Sequence, residues 1–61
     1  MDAFTQGQQA GSEAYFLGAG AAYKERNGKV VHARTNRPVE PGLEQYAQGY
    51  VNGFSNAEVT L

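Results

Sequence analysis

Apolar and small residues recur at helical spacing in two stretches of the chain, one near each end, and the stretch between them has no such period. In the first, Phe4, Gly7, Gly11, Ala14, Tyr15, Gly18 and Ala22 fall on one side at about 100° per residue, while Gln9 and Glu13 point away. Asp2 is placed to cap this helix, and Thr5 followed by Gln8 offers a second start in capping-box spacing. In the second, Leu43, Tyr46, Ala47, Tyr50, Phe54 and Ala57 form one stripe, with Val51 beside it and Gln45, Gln48 and Asn52 opposite. Pro41 suits a first helical position, and Glu44 in the first turn favours the helix dipole. The pattern predicts helices over about residues 2–27 and 41–56, with a connector over 28–40.

Two readings fit residues 21–34. Gly18-Ala19-Gly20 can break the first helix, and Asn27-Gly28 is the strongest short signal for a β-hairpin, which would pair 21–26 with 29–34. The same Asn27-Gly28 is also a good helix stop, with Lys24 and Arg26 in the last turn. Residues 21–26 contain strong helix formers and no β-branched residue, which favours one long helix. The preferred architecture is therefore all-α: an antiparallel two-helix hairpin with a long, basic, Pro-containing connector. An α+β fold with a short β-hairpin around Asn27-Gly28 is the alternative.

One motif occurs twice, as Gln6-Gly7-x-x-x-Gly11 and Gln48-Gly49-x-x-x-Gly53. Glycine inside a helix costs about 0.5–1 kcal/mol relative to alanine, so its repeated use implies close approach of another group. The first helix offers a groove of Gly7, Gly11, Ala14 and Gly18. The second offers a ridge of Tyr46, Tyr50 and Phe54, flanked by Gly49 and Gly53. The expectation is that this ridge fills that groove, so that leucine at Gly11 unfolds the domain. The same glycine faces can instead pair between two chains, in a homodimer. Phe16 points off the groove face.

With 61 residues the chain makes one domain over 1–61. A domain of this size buries only about 60% of its unfolded surface, so a disulfide, a metal or a partner usually helps it. No cysteine is present and His32 is the sole histidine, which leaves a partner. No basic start followed by an apolar run marks a leader, and no stretch is apolar enough to span a membrane. The chain reads as cytoplasmic.

Charge adds a division that the apolar pattern does not show. All five Lys and Arg lie in the middle: Lys24, Arg26, Lys29, Arg34 and Arg37. Only Glu25 opposes them there, leaving 24–37 at about +4 within a chain of net charge −1. Such a cluster can neutralise phosphates or meet an acidic protein surface, and Tyr23 beside it can stack on a base. A plain solvated linker is the simpler reading of the same charges. No nucleophile–base arrangement, phosphate-cradling loop or metal cluster is visible, so no enzyme activity, cofactor or metal is expected.

Gly7-Gln8-Gln9-Ala10-Gly11, together with Gln45-Tyr46-Ala47-Gln48-Gly49-Tyr50 and the linker step Asn36-Arg37-Pro38, resembles the ribosome modulation factor family and its short phage- and plasmid-borne relatives. That family carries Gly-x-x-Ala-Gly on a first helix, a Pro-containing linker, and Gln-aromatic-x-x-Gly-aromatic on a second. The likeness covers about twenty residues. The linker here is longer and lacks a tyrosine after Pro38, and the chain is slightly acidic where ribosome modulation factor is basic. The resemblance implies two helices and a small non-enzymatic regulator that binds a ribosome or other ribonucleoprotein. On that reading Lys24, Arg26, Lys29, Arg34 and Arg37 meet phosphate. Gly7, Gly11, Tyr46, Gly49, Tyr50 and Phe54 pack the helices or face a partner. The alternative is a phage- or plasmid-encoded inhibitor of a host protein.

Overall fold

A computed structural model describes residues 2–60; Met1 and Leu61, the ends of the expected 1–61 domain, lie outside the described residues. The order of elements is α1 (Ala3–Phe16), β1 (Tyr23–Arg26), β2 (Lys29–His32) and α2 (Glu44–Thr60). The fold is thus α+β, with two helices and a two-stranded antiparallel sheet, and not the all-α hairpin preferred from the sequence.

α1 starts where expected. The Asp2 carboxylate accepts from the Thr5 N–H at 2.7 Å, a bond that lowers the Asp2 pKa. It ends eleven residues before Asn27, and Gly18 is the reason. With φ +76°, Gly18 takes the left-handed position just past the helix. Its N–H donates to the Tyr15 carbonyl at 3.1 Å, and the Ala19 N–H donates to the Ala14 carbonyl at 3.0 Å. That bond pair is the Schellman stop. Gly18 is therefore an exposed cap and not part of a groove floor.

Asn27 and Gly28 then both take positive φ, 52° and 81°, as a tight hairpin turn between right-twisted strands requires. The register pairs Tyr23 with His32, Lys24 with Val31, Glu25 with Val30 and Arg26 with Lys29. After β2 the chain reverses through Asn36 (φ 61°) and bridges back, Pro38 opposite Val31. The helical propensity of residues 21–26 is overridden because Tyr23 has a packing site on α2, described below. Pro41 also departs from expectation. It lies in a turn with Gly42 (φ 90°), and the Leu43 carbonyl accepts the first helical bond, from the Ala47 N–H at 2.9 Å. α2 therefore begins at Glu44 and runs to Thr60, past the expected end at Asn56.

The two helices meet along the doubled glycine motif, and they run in the same direction. A Cβ on Gly7 would overlap the Tyr46 carbonyl, and one on Gly11 the Tyr50 carbonyl. A Cβ on Gly49 would overlap the Phe4 carbonyl, and one on Gly53 that of Gln8. Position numbers rise together along both helices, so the expected antiparallel arrangement is corrected to a parallel one. α1 spans about 21 Å at 1.5 Å per residue, and the 17–43 connection with its hairpin is long enough to return the chain to the starting end.

The contact is backbone on backbone, with no room for a ring between the helices. The aromatic ridge accordingly does not fill the glycine groove. Tyr46 and Tyr50 turn toward the hairpin, where the Tyr23 ring lies 6.4 Å and 5.4 Å from theirs. Phe54 stacks on Tyr50 and meets the edge of Tyr15. Ala47, Tyr50, Ala57 and Val31 are the buried apolar side chains among the described residues. The core is thus the seam plus one layer of rings beneath the hairpin.

Candidate anionic-partner interface

Strand alternation sorts the hairpin into two faces. Tyr23 and Glu25 share one face with their cross-strand partners His32 and Val30. Tyr23 packs on α2, so this is the inner face. Lys24, Arg26 and Lys29 share the outer face with Val31, the one buried side chain on it at 8% exposed. Lys24, Arg26 and Lys29 are exposed, and none of the three has an ion-pair partner among the described residues. Arg26 stands directly opposite Lys29 at the turn end, and like charges in that position are mildly unfavourable. Glu25, the one carboxylate in β1, is on the other face and offsets neither of them.

Arg34 and Arg37 sit apart from this face, in the exposed turn that follows His32. The His32 N–H donates to the Arg37 carbonyl at 2.9 Å, which holds them at the end of the hairpin opposite Asn27-Gly28, about 10 Å away along the strands. The fold therefore gathers three of the five basic residues on one surface and places two beyond its edge.

Tyr23 is not open for stacking on a base. Its ring is 5.1 Å from His32 and is flanked by Tyr46 and Tyr50. Burial, with the Glu40 charge second, raises its phenol pKa. Tyr50 is 6% exposed, and its hydroxyl accepts from the Ala22 N–H at 3.1 Å, fixing the start of β1. Tyr46, Tyr50 and Phe54 are thus packing residues, as are Gly7, Gly11, Gly49 and Gly53.

His32 Nε2 lies 2.6 Å from Glu40 Oε1, a contact that ties β2 to the segment leading into α2. This hydrogen bond lowers the Glu40 pKa below its ordinary 4.5. A carboxyl group lowered on folding contributes stability above its unfolded pKa and loses it as pH falls through the folded value. The melting-temperature difference between wild type and Glu40→Gln should therefore shrink as pH drops below about 4.5. A constant difference from neutral pH to pH 3 would show that the contact adds nothing. Among the described residues no three His, Cys, Asp or Glu side chains gather as a metal group.

The sequence pattern left Phe16 unplaced and did not single out Leu17. Both are exposed, at 60% and 82%, because the Gly18 cap ends α1 on them. Beside Phe16 an open groove runs between the helices on the side away from the hairpin, lined by Gln8, Ser12, Glu13, Asn56 and Thr60 among others. Gln8 Nε2 donates to Asn52 Oδ1 at 2.7 Å across the seam. No described helix is long and apolar enough to cross a membrane.

No family model, curated protein or solved structure matches the chain.

Proposed function

We propose that this chain is a small non-enzymatic regulatory protein of the cytoplasm that binds a larger anionic macromolecule through the outer face of its β-hairpin. A ribosome or other ribonucleoprotein is the most concrete target. The observation that carries the reading is the register, which aligns the exposed Lys24, Arg26 and Lys29 on one face with no carboxylate from either strand on that face. The likeness to ribosome modulation factor supports the choice of target. Arg34 and Arg37 extend the contact at one end. Glu25 is on the opposite face, and residues 24–37 sum to about +4 within a chain of net charge −1, which favours approach of a phosphate surface to the hairpin.

Exposed Phe16 and Leu17 favour a second reading, an inhibitor that binds a host protein through the end of α1. Pulldown of tagged protein from bacterial lysate, with and without nuclease, separates the two. Recovery of ribosomal subunits that is lost on nuclease treatment, and lost in a Lys24→Ala, Arg26→Ala, Lys29→Ala variant, is the expected result. Capture of one protein at equal stoichiometry, unaffected by that variant and lost in Phe16→Ser, Leu17→Ser, would overturn it in favour of the inhibitor.

A further inference from the structure

The seam between the helices is internally symmetric. Gly7 and Gly49 are 42 positions apart, as are Gly11 and Gly53, and so are their partners Phe4 and Tyr46, Gln8 and Tyr50. Each close approach therefore has its counterpart with the helices exchanged: Gly7 on Tyr46 matches Gly49 on Phe4, and Gly11 on Tyr50 matches Gly53 on Gln8. Two helices related by a two-fold axis along their length make contacts of this kind.

The remaining contacts of α1 are confined in the same way. α1 packs against α2, whereas both strands pack against α2 and against each other. The Gln8 amide and the Tyr15 ring also reach α2, at Asn52 and Phe54. Between α1 and β1, residues 17–20 are exposed. Side chains on Gly18 or Gly20 would meet nothing within 4 Å. The first anchor after this link, the Ala22 N–H on the Tyr50 hydroxyl, belongs to the hairpin and α2. The molecule is thus two pieces, α1 and a hairpin–α2 unit, held by one seam and an unpacked tether.

We propose that α1 exchanges between two copies of the chain, closing the same seam between them in a dimer that carries two basic hairpins. The seat on α2 recognises the small-residue face and backbone of α1, and these are identical whichever copy supplies them. The exposed link contributes no packing that exchange would lose. Exchange of an identical element between protomers is a low-cost route to a dimer. The short tether holds α1 near its own seat at an effective concentration of order millimolar, so the monomer dominates at micromolar protein and the dimer emerges toward millimolar. The inference is independent of what the hairpins bind.

The test uses Gln8 and Asn52, which touch across the seam. Gln8→Cys chains are mixed with longer, tagged Asn52→Cys chains, unfolded, refolded together at about millimolar concentration and oxidised. The expected product is a disulfide joining one chain of each kind. Absence of that product, while a single chain carrying both cysteines closes its own disulfide, would overturn the proposal. Deleting residues 18–20 supplies a second arm, since it cuts the link between α1 and β1 from six residues to three and so favours exchange over folding back. Light scattering of that variant at micromolar concentration should give about twice the 6.6 kDa of one chain. A folded, monomeric deletion variant would equally overturn it.

Discussion

A Gly11→Ala variant should show no cooperative thermal transition and the circular dichroism of a largely unfolded chain at room temperature. Helix propensity alone argues the other way, since alanine is favoured over glycine by about 1 kcal/mol. The seam decides the sign. The added Cβ would sit well inside 3.0 Å of the Tyr50 carbonyl oxygen, with the Phe54 nitrogen also under 3.0 Å. Neither atom can swing aside, because both belong to the α2 backbone. The helices would have to part along their length, and the packing of Gly7, Gly49 and Gly53 would loosen with them. Overpacking commonly costs about 1–3 kcal/mol where side chains can yield; here only backbone is available to yield. A domain this small has about 3–5 kcal/mol to lose. Gly20→Ala is the control, since its Cβ would meet open space. That variant should melt at or slightly above the wild-type temperature. Wild-type melting of Gly11→Ala would refute the seam.

Tyr50→Ala should be as damaging, for a different reason. Tyr50 is the most buried large side chain on α2 and joins three parts of the molecule. Its ring lies against Tyr23 of the hairpin and Phe54 of its own helix, and its hydroxyl holds the Ala22 N–H. Removing a buried aromatic ring costs about 3–5 kcal/mol, close to the whole stability expected. Tyr50→Phe separates the ring from the hydroxyl. It should cost about 1 kcal/mol or less, since Ala22 is exposed and water can replace the lost acceptor. Urea denaturation of the two variants checks the ordering. Similar losses for both would mean that the hydroxyl, and not the ring layer, holds the hairpin on α2.

These two residues also show what could be read from the sequence. The doubled Gln-Gly-x-x-x-Gly signalled close approach of another group without saying whether ring or backbone, and the apolar stripe of α2 gave that helix to within a few residues at each end. Asn27-Gly28 carried the hairpin signal, but local propensity in residues 21–26 favoured a helix. Helical spacing continued formally through Gly18 to Ala22, so nothing in the period marked Gly18 as a left-handed cap. Once α1 was taken to run to Asn27 and the connector to span only 28–40, an antiparallel pair followed. The true connection is nearly twice the length of α1 and allows the parallel one. The rings were assigned to the groove because the partner of Tyr46 and Tyr50 is Tyr23, which lay in the segment read as helix. The basic cluster was visible as composition. Its division into three residues on one face and two beyond it depends on strand register, which helical projection cannot show.

Binding to ribosomal RNA as a function of salt tests the functional reading most directly. If Lys24, Arg26 and Lys29 each meet a phosphate, raising salt from about 50 to 200 mM should weaken wild-type binding roughly 20- to 40-fold. The variant with alanine at all three positions should keep the wild-type melting temperature and lose most of that dependence. Equal affinities and equal salt slopes for the two proteins would contradict the assignment of the hairpin's outer face.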